Sequence, residues 1–169
     1  DIFGDNEERI WAITSQGISY YEYEKDSLQI FLRHNQPVKA SIITTEGSKL
    51  LIPVTDTLLV YEKELKHSKA IPLKTTGIHI IKMEPFDSTH YLIINNAWEI
   101  KLLNKHTGEI TDSPFGELSN AYDLYKDSSG RYWVSFYGQG VKCYNQDGQL
   151  LTSYNTRNSN LNNDIVLDI

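Results

Sequence analysis

A repeat of about forty residues, four short extended segments per repeat and turn-forming residues between them predict an all-β fold, a β-propeller fragment of about four four-stranded antiparallel blades. The repeat is plainest between the first and last copies. Asp1-Ile2-Phe3, Arg9-Ile10-Trp11-Ala12-Ile13 and Gly17-Ile18-Ser19-Tyr20-Tyr21 correspond to Asp123-Leu124-Tyr125, Arg131-Tyr132-Trp133-Val134-Ser135 and Gly140-Val141-Lys142-Cys143-Tyr144. The Asp-to-Trp spacing is ten residues in both copies. Two weaker copies lie between them, Lys49–Val54 leading to Leu58-Leu59-Val60-Tyr61, and His90–Asn95 leading through Trp98 to Glu99-Ile100-Lys101-Leu102. The equivalent positions Tyr21, Tyr61, Leu102 and Tyr144 are 40, 41 and 42 residues apart.

The elements follow from this period. Strand A of the clearest copy is expected at about 122–126, and Asp127-Ser128-Ser129-Gly130 reads as a hairpin turn. Strand B is expected at about 131–136, followed by Tyr137-Gly138-Gln139-Gly140. Strand C takes about 141–145, and Gln146-Asp147-Gly148 turns the chain into strand D at about 149–154. The same outer turn recurs at Lys25-Asp26 and at Asn104–Gly108. No sustained 3.6-residue apolar period is present, so little or no helix is expected. The chain reads as one partial propeller domain, 1–169, with blades at about 1–38, 39–77, 78–120 and 121–163 and the start of a fifth at 164–169. Both ends fall inside a repeat, which makes the chain a segment whose neighbouring blades are expected elsewhere in a longer polypeptide.

Composition narrows the function. Forty per cent of residues are hydrophobic and 22% charged, a globular mixture, and eleven tyrosines favour half-buried pleated surfaces. A net charge of −6 argues against a phosphate-backbone partner, so no nucleic acid is expected. Cys143 is the single cysteine and can form no intramolecular disulfide. No apolar run reaches the length of a membrane span. The histidines, His34, His67, His79, His90 and His106, never come at ligand spacing, and neither a metal nor a cofactor is expected. The chain shows no Gly-x-Ser-x-Gly, phosphate loop or recognisable carboxylate pair, so no catalytic residue is assigned.

Asn158–Ile169 looks like the opening of the two-component regulator propeller repeat. Asp123–Val141 is similar to that repeat almost throughout, and Asp1–Tyr21 matches it with the Trp and one Gly retained. The blades around Leu51 and Leu92 lack the Trp and follow it by spacing. The resemblance implies the periplasmic sensory part of a hybrid two-component system histidine kinase. It further implies an oligosaccharide ligand, further blades of the same chain, and pairing of two receptor chains. The kinase motifs themselves lie outside these residues, and the segment is expected to be no enzyme.

Candidate ligand residues sit in the turns between strands B and C and in the connection into the next blade. Trp98 takes the place of Gly17 and Gly140 and offers a flat apolar surface for a sugar ring, with Asn95 and Asn96 as donors and acceptors. The alternative is an indole folded back over a blade that lacks its core Trp. Tyr137 and Gln139 occupy the same turn in the last blade, and Ser15, Gln16, Asp56 and Thr57 in the first two. Asn158, Asn160, Asn162 and Asn163 load the connecting loop, where they are either ligand contacts or turn formers. Trp11 and Trp133, at one fixed repeat position, are expected to pack between blades.

Overall fold

The computed structural model describes residues 2–4, 9–14, 17–33, 44–46, 49–62 and 68–169. The described residues form sixteen strands in four four-stranded antiparallel sheets. The chain divides into two compact units, 1–79 and 80–169.

In the first unit, β1 (Ile2–Gly4), β2 (Ile10–Thr14), β3 (Gly17–Glu22) and β4 (Ser27–Arg33) form one meander. A 3₁₀ turn at Tyr23–Lys25 joins β3 to β4 and ends on Asp26 at φ 46°. Asp26, like Asn and Gly, tolerates this left-handed conformation, and its carboxylate accepts a hydrogen bond from the Tyr21 hydroxyl. The second meander is β5 (Thr44–Glu46), β6 (Lys49–Val54), β7 (Thr57–Glu62) and β8 (Ser68–Pro72). Trp11 is fully buried in a core with Ile18, Leu50, Ile52 and Val54, its ring packed against Tyr20 and edge-on to Phe31. This is the inter-blade packing expected of Trp11.

In the second unit, β9 (Ile80–Pro85), β10 (His90–Asn95), β11 (Ile100–Asn104) and β12 (Ile110–Asp112) make the third sheet. The fourth is β13 (Ala121–Lys126), β14 (Tyr132–Phe136), β15 (Gly140–Tyr144) and β16 (Leu150–Tyr154). Their shared core joins Leu92, Ile94 and Ile100 to Leu124, Tyr132, Val134, Phe136 and Tyr144, with Phe86 and Phe115 at one end. Each such side chain removed from water contributes roughly 1.5–3 kcal/mol. The register explains how the third sheet does without the repeat's Trp. Trp133 pairs with Tyr125 and Cys143, and Leu92 pairs with Glu84 and Leu102, so Leu92 stands at the Trp position. It is fully buried there, whereas Trp133 is half-buried and stacks on Tyr154 at 6.2 Å.

The hairpin turns are built on side-chain acceptors. The Asp127 carboxylate receives the backbone N–H groups of Ser129 and Arg131, the Arg131 guanidinium at 2.7 Å and the Trp133 indole N–H at 2.9 Å. These donors, the indole first, hold it down at about 2 against an opposing push from burial. Asp87 plays the same part in the third sheet. Burial pushes its carboxyl up, but bonds from Thr89 and His90 outweigh this and bring it to about 2. Gly148 at φ 83° is required where the outer turn meets the preceding segment, because a Cβ there would overlap the Pro114 carbonyl.

Residues 164–169, expected to start a fifth blade, make a single antiparallel bridge between Ile165 and Tyr137. Val166 N–H also donates to Phe136 O, and Ile169 N–H to Asp123 Oδ2.

Candidate functional site

The turn from β10 to β11 is shaped by Asn95. This residue is buried, and its Oδ1 accepts the N–H groups of Ala97 at 2.9 Å and Glu99 at 3.1 Å. Its amide donates to Glu99 Oε2 at 3.1 Å. Asn95 therefore orders the turn rather than facing solvent, while Asn96 beside it is exposed. The turn places Trp98 at φ 61°, the half of backbone space that also holds Gly140 at φ 72°. By strand register Glu99, bonded to Asn95, stands where Gly140 pairs with Phe136, so Trp98 falls one position before the expected glycine, at the place of Gln139. A bulky residue held at positive φ stores about 1–3 kcal/mol of strain.

What the strain presents is an aromatic column. The Trp98 indole stacks on Tyr122 with centroids 4.2 Å apart and planes at 11°, and Tyr122 in turn lies 5.8 Å from Tyr137 at 29°. Tyr137 is 53% exposed, so the column ends in solvent. Its backbone is tied through Tyr137 N–H to Asn120 O at 3.0 Å, and Ala121 N–H donates to Trp98 O at 3.1 Å. Trp98 and Tyr137, two of the residues singled out from sequence, are brought together. Tyr122, which joins them, was not among those candidates. The register of β13 against β14 shifts between Ala121 and Asp123, leaving Tyr122 in a bulge that re-aims its side chain. No sequence signal marks that bulge.

The other candidates are placed differently. Gln139 is exposed and accepts the Lys142 ammonium at 2.7 Å. Asn158 is committed to its own loop, accepting Asn155 N–H and donating to Ser153 O. Asn160, Asn162 and Asn163 are exposed, and Asn163 Oδ1 accepts Ile165 N–H. Asp56 belongs to the first unit, exposed in the turn between β6 and β7, with its carbonyl accepting Leu73 N–H at 2.8 Å. Ser15, Gln16, His34 and His67 lie outside the described residues. His90 lies 3.2 Å from the Asp87 carboxylate.

Next to the Trp98 turn, a cleft of ≈ 450 Å³ opens between β11, the end of β12 and the connection into β13. Glu99, Lys101, Asp112, Glu117 and Ser119 supply its polar groups. Lys101 Nζ lies 2.9 Å from Asp112 and 3.8 Å from Glu99. The hydrogen bond to Asp112, with the charges of Glu99 and Glu117, holds this ammonium above the ordinary lysine value despite some burial. Deeper between the two sheets, Lys82 pairs with the buried Asp123 at 2.6 Å. Burial pushes the neighbouring Glu84 carboxyl up to about 7, with Lys82 and Lys126 opposing and Asp123 adding to the rise.

No family model and no curated protein matches the chain. Solved structures do. The extracellular domain of the hybrid two component system BT3049 from B. thetaiotaomicron superposes with a TM-score of 0.67 at 15% identity, over 90% of this chain and 23% of that one. The extracellular domain of BT4673 from the same organism gives 0.67 at 17% identity, over 99% and 24%. PorZ, a surface component of the type-IX secretion system of Porphyromonas gingivalis, gives 0.65 at 12%, over 98% and 28%. The chain therefore spans about a quarter of the length of these proteins. At such identities the likeness establishes the fold, an all-β propeller fragment.

Proposed function

We propose that this chain is part of the periplasmic sensing propeller of a hybrid two-component histidine kinase, and that it responds to oligosaccharides. The observation that carries the reading is the Trp98–Tyr122–Tyr137 column, held by a strained turn and open to solvent at Tyr137. Aromatic faces and edges next to carboxylates suit sugar rings, whose C–H faces are apolar and whose hydroxyls donate. The sequence resemblance to the two-component propeller repeat and the shared fold of the B. thetaiotaomicron ectodomains support the setting. Signalling would be a population shift between two packings of paired receptor chains. A full switch from 1:99 to 99:1 needs about 5.5 kcal/mol of differential binding.

Calorimetry of the complete ectodomain against host, plant and microbial glycans tests the reading. At least one glycan should bind, and Trp98→Ala should weaken it by about tenfold or more, the scale of one stacked ring. Silence across the whole panel would sink the proposal.

A second reading has its own observation. In the fourth sheet Tyr125 and Tyr154 are exposed on the face that carries Trp133, which is half-buried beside them, and the last strand also exposes Leu150 and Leu151. Such a face suits a scaffold for protein contact or dimerisation without a ligand. A dimer in light scattering that Tyr154→Lys dissociates, together with an inert glycan panel, would favour it.

A further inference from the structure

Resting on the saccharide-sensing reading, we infer that the ligand entering beside Trp98 is a neutral or amine-bearing saccharide, and that the site turns anionic glycans away. The cleft and the aromatic column are neighbours by construction. Trp98 and Glu99 are consecutive, Ser119 and Tyr122 are three residues apart, and the Ala121 N–H to Trp98 O bond of 3.1 Å ties the two segments together. The three rings do not themselves line the ≈ 450 Å³ cleft, but Glu99, next to Trp98, does, so a saccharide long enough to extend past Trp98 reaches it; the volume is within the usual range of small-molecule sites.

The charges in the cleft set its preference. Glu99, Asp112 and Glu117 face one cation, Lys101, which is already paired with Asp112 and Glu99. The excess is two negative charges, in a chain that is itself at −6. Glu117 is exposed and makes no side-chain hydrogen bond among the described residues, so its carboxylate can receive a donor without losing one. Ser119, also exposed, adds a hydroxyl that donates or accepts. Sugar hydroxyls and ammonium groups are donors, and their bonds to carboxylates are the stronger, charge-assisted kind. A uronate or sulfate brought to the same place meets like charge with no free cation in the cleft to offset it.

The test uses the complete ectodomain and three tetrasaccharides with one linkage and three charges: cellotetraose, the β-1,4 glucosamine tetramer and the β-1,4 glucuronate tetramer. Calorimetry should find the amine form at least as tight as the neutral one, and the uronate weaker by about tenfold at low salt, with the gap closing at high salt. Glu117→Gln should narrow the gap and Glu117→Lys should abolish or reverse it, in an exposed loop position where folding is not at stake. A uronate that binds as tightly as cellotetraose overturns the inference. So does a charge order that Glu117→Lys leaves unchanged, or a sulfated or uronate glycan as the tightest binder of the wider panel. Those outcomes leave the sensing role standing, whereas silence of every glycan removes both.

Discussion

Glu84 offers a quantitative check on the packing of the third and fourth sheets. Its carboxyl faces Lys82 on its own strand and Asp123 and Lys126 on β13, with the Tyr132 ring close by. Lys126 is committed elsewhere, to the carbonyls of Pro85 and Phe86 and over the Tyr132 ring, and Lys82 is committed to Asp123. Burial therefore prevails and the carboxyl rises from 4.5 to about 7. Below pH 4.5 Glu84 is protonated whether the chain is folded or not, and contributes nothing to pH dependence. Between 4.5 and about 7 the unfolded chain ionises while the folded one keeps its proton, so stability falls as pH rises, and above 7 the loss is complete. The full difference corresponds to about 3 kcal/mol, and partial exposure of the group reduces it to about 1–3 kcal/mol. Glu84→Gln should stabilise the second unit by that amount at pH 8.5 and by little at pH 4.5. Urea unfolding at the two values reads this directly, with peptide-level hydrogen exchange on β9 and β13 localising it. Equal effects at both pH values would refute the account of Glu84 as a carboxyl made neutral by burial.

Two further outcomes follow from local geometry. Gly140 at φ 72° has no room for a methyl group, since a Cβ would overlap the Tyr154 carbonyl. Gly140→Ala should therefore cost about 3 kcal/mol in urea unfolding, and a cost near zero would mean that β15 and β16 are spaced differently. Asp127 is held at about 2 by the Trp133 indole and its turn donors, so the stability it contributes is present above 3.8 and lost as pH falls through about 2. The Trp133 indole N–H resonance should accordingly titrate near pH 2, and Asp127→Ala should remove the transition. A midpoint at 3.8 would show that the indole bond is not formed in solution.

Much of the molecule was legible in the chain itself, because its repeating unit is set by short-range physics. Alternating apolar residues and Asp, Asn or Gly at the turns make each meander from residues only a few positions apart. The strands expected at about 122–126, 131–136, 141–145 and 149–154 form at Ala121–Lys126, Tyr132–Phe136, Gly140–Tyr144 and Leu150–Tyr154. The Asp127 turn was recognised as a hairpin.

The site was less legible, since its decisive contacts join residues from different sheets or turns. Asn95 was read as a ligand donor, and in the structure its carbonyl and amide serve the turn. Tyr122 lies at a bulge, and only the pairing of β13 with β14 decides that its ring meets Trp98. Leu92 filling the Trp position, the Lys82–Asp123 pair and the proton on Glu84 likewise depend on how one sheet's face meets the next. Local pattern determined the blades. Tertiary packing alone decided which side chains meet between them, because alternation assigns a residue to a face but does not say what that face touches.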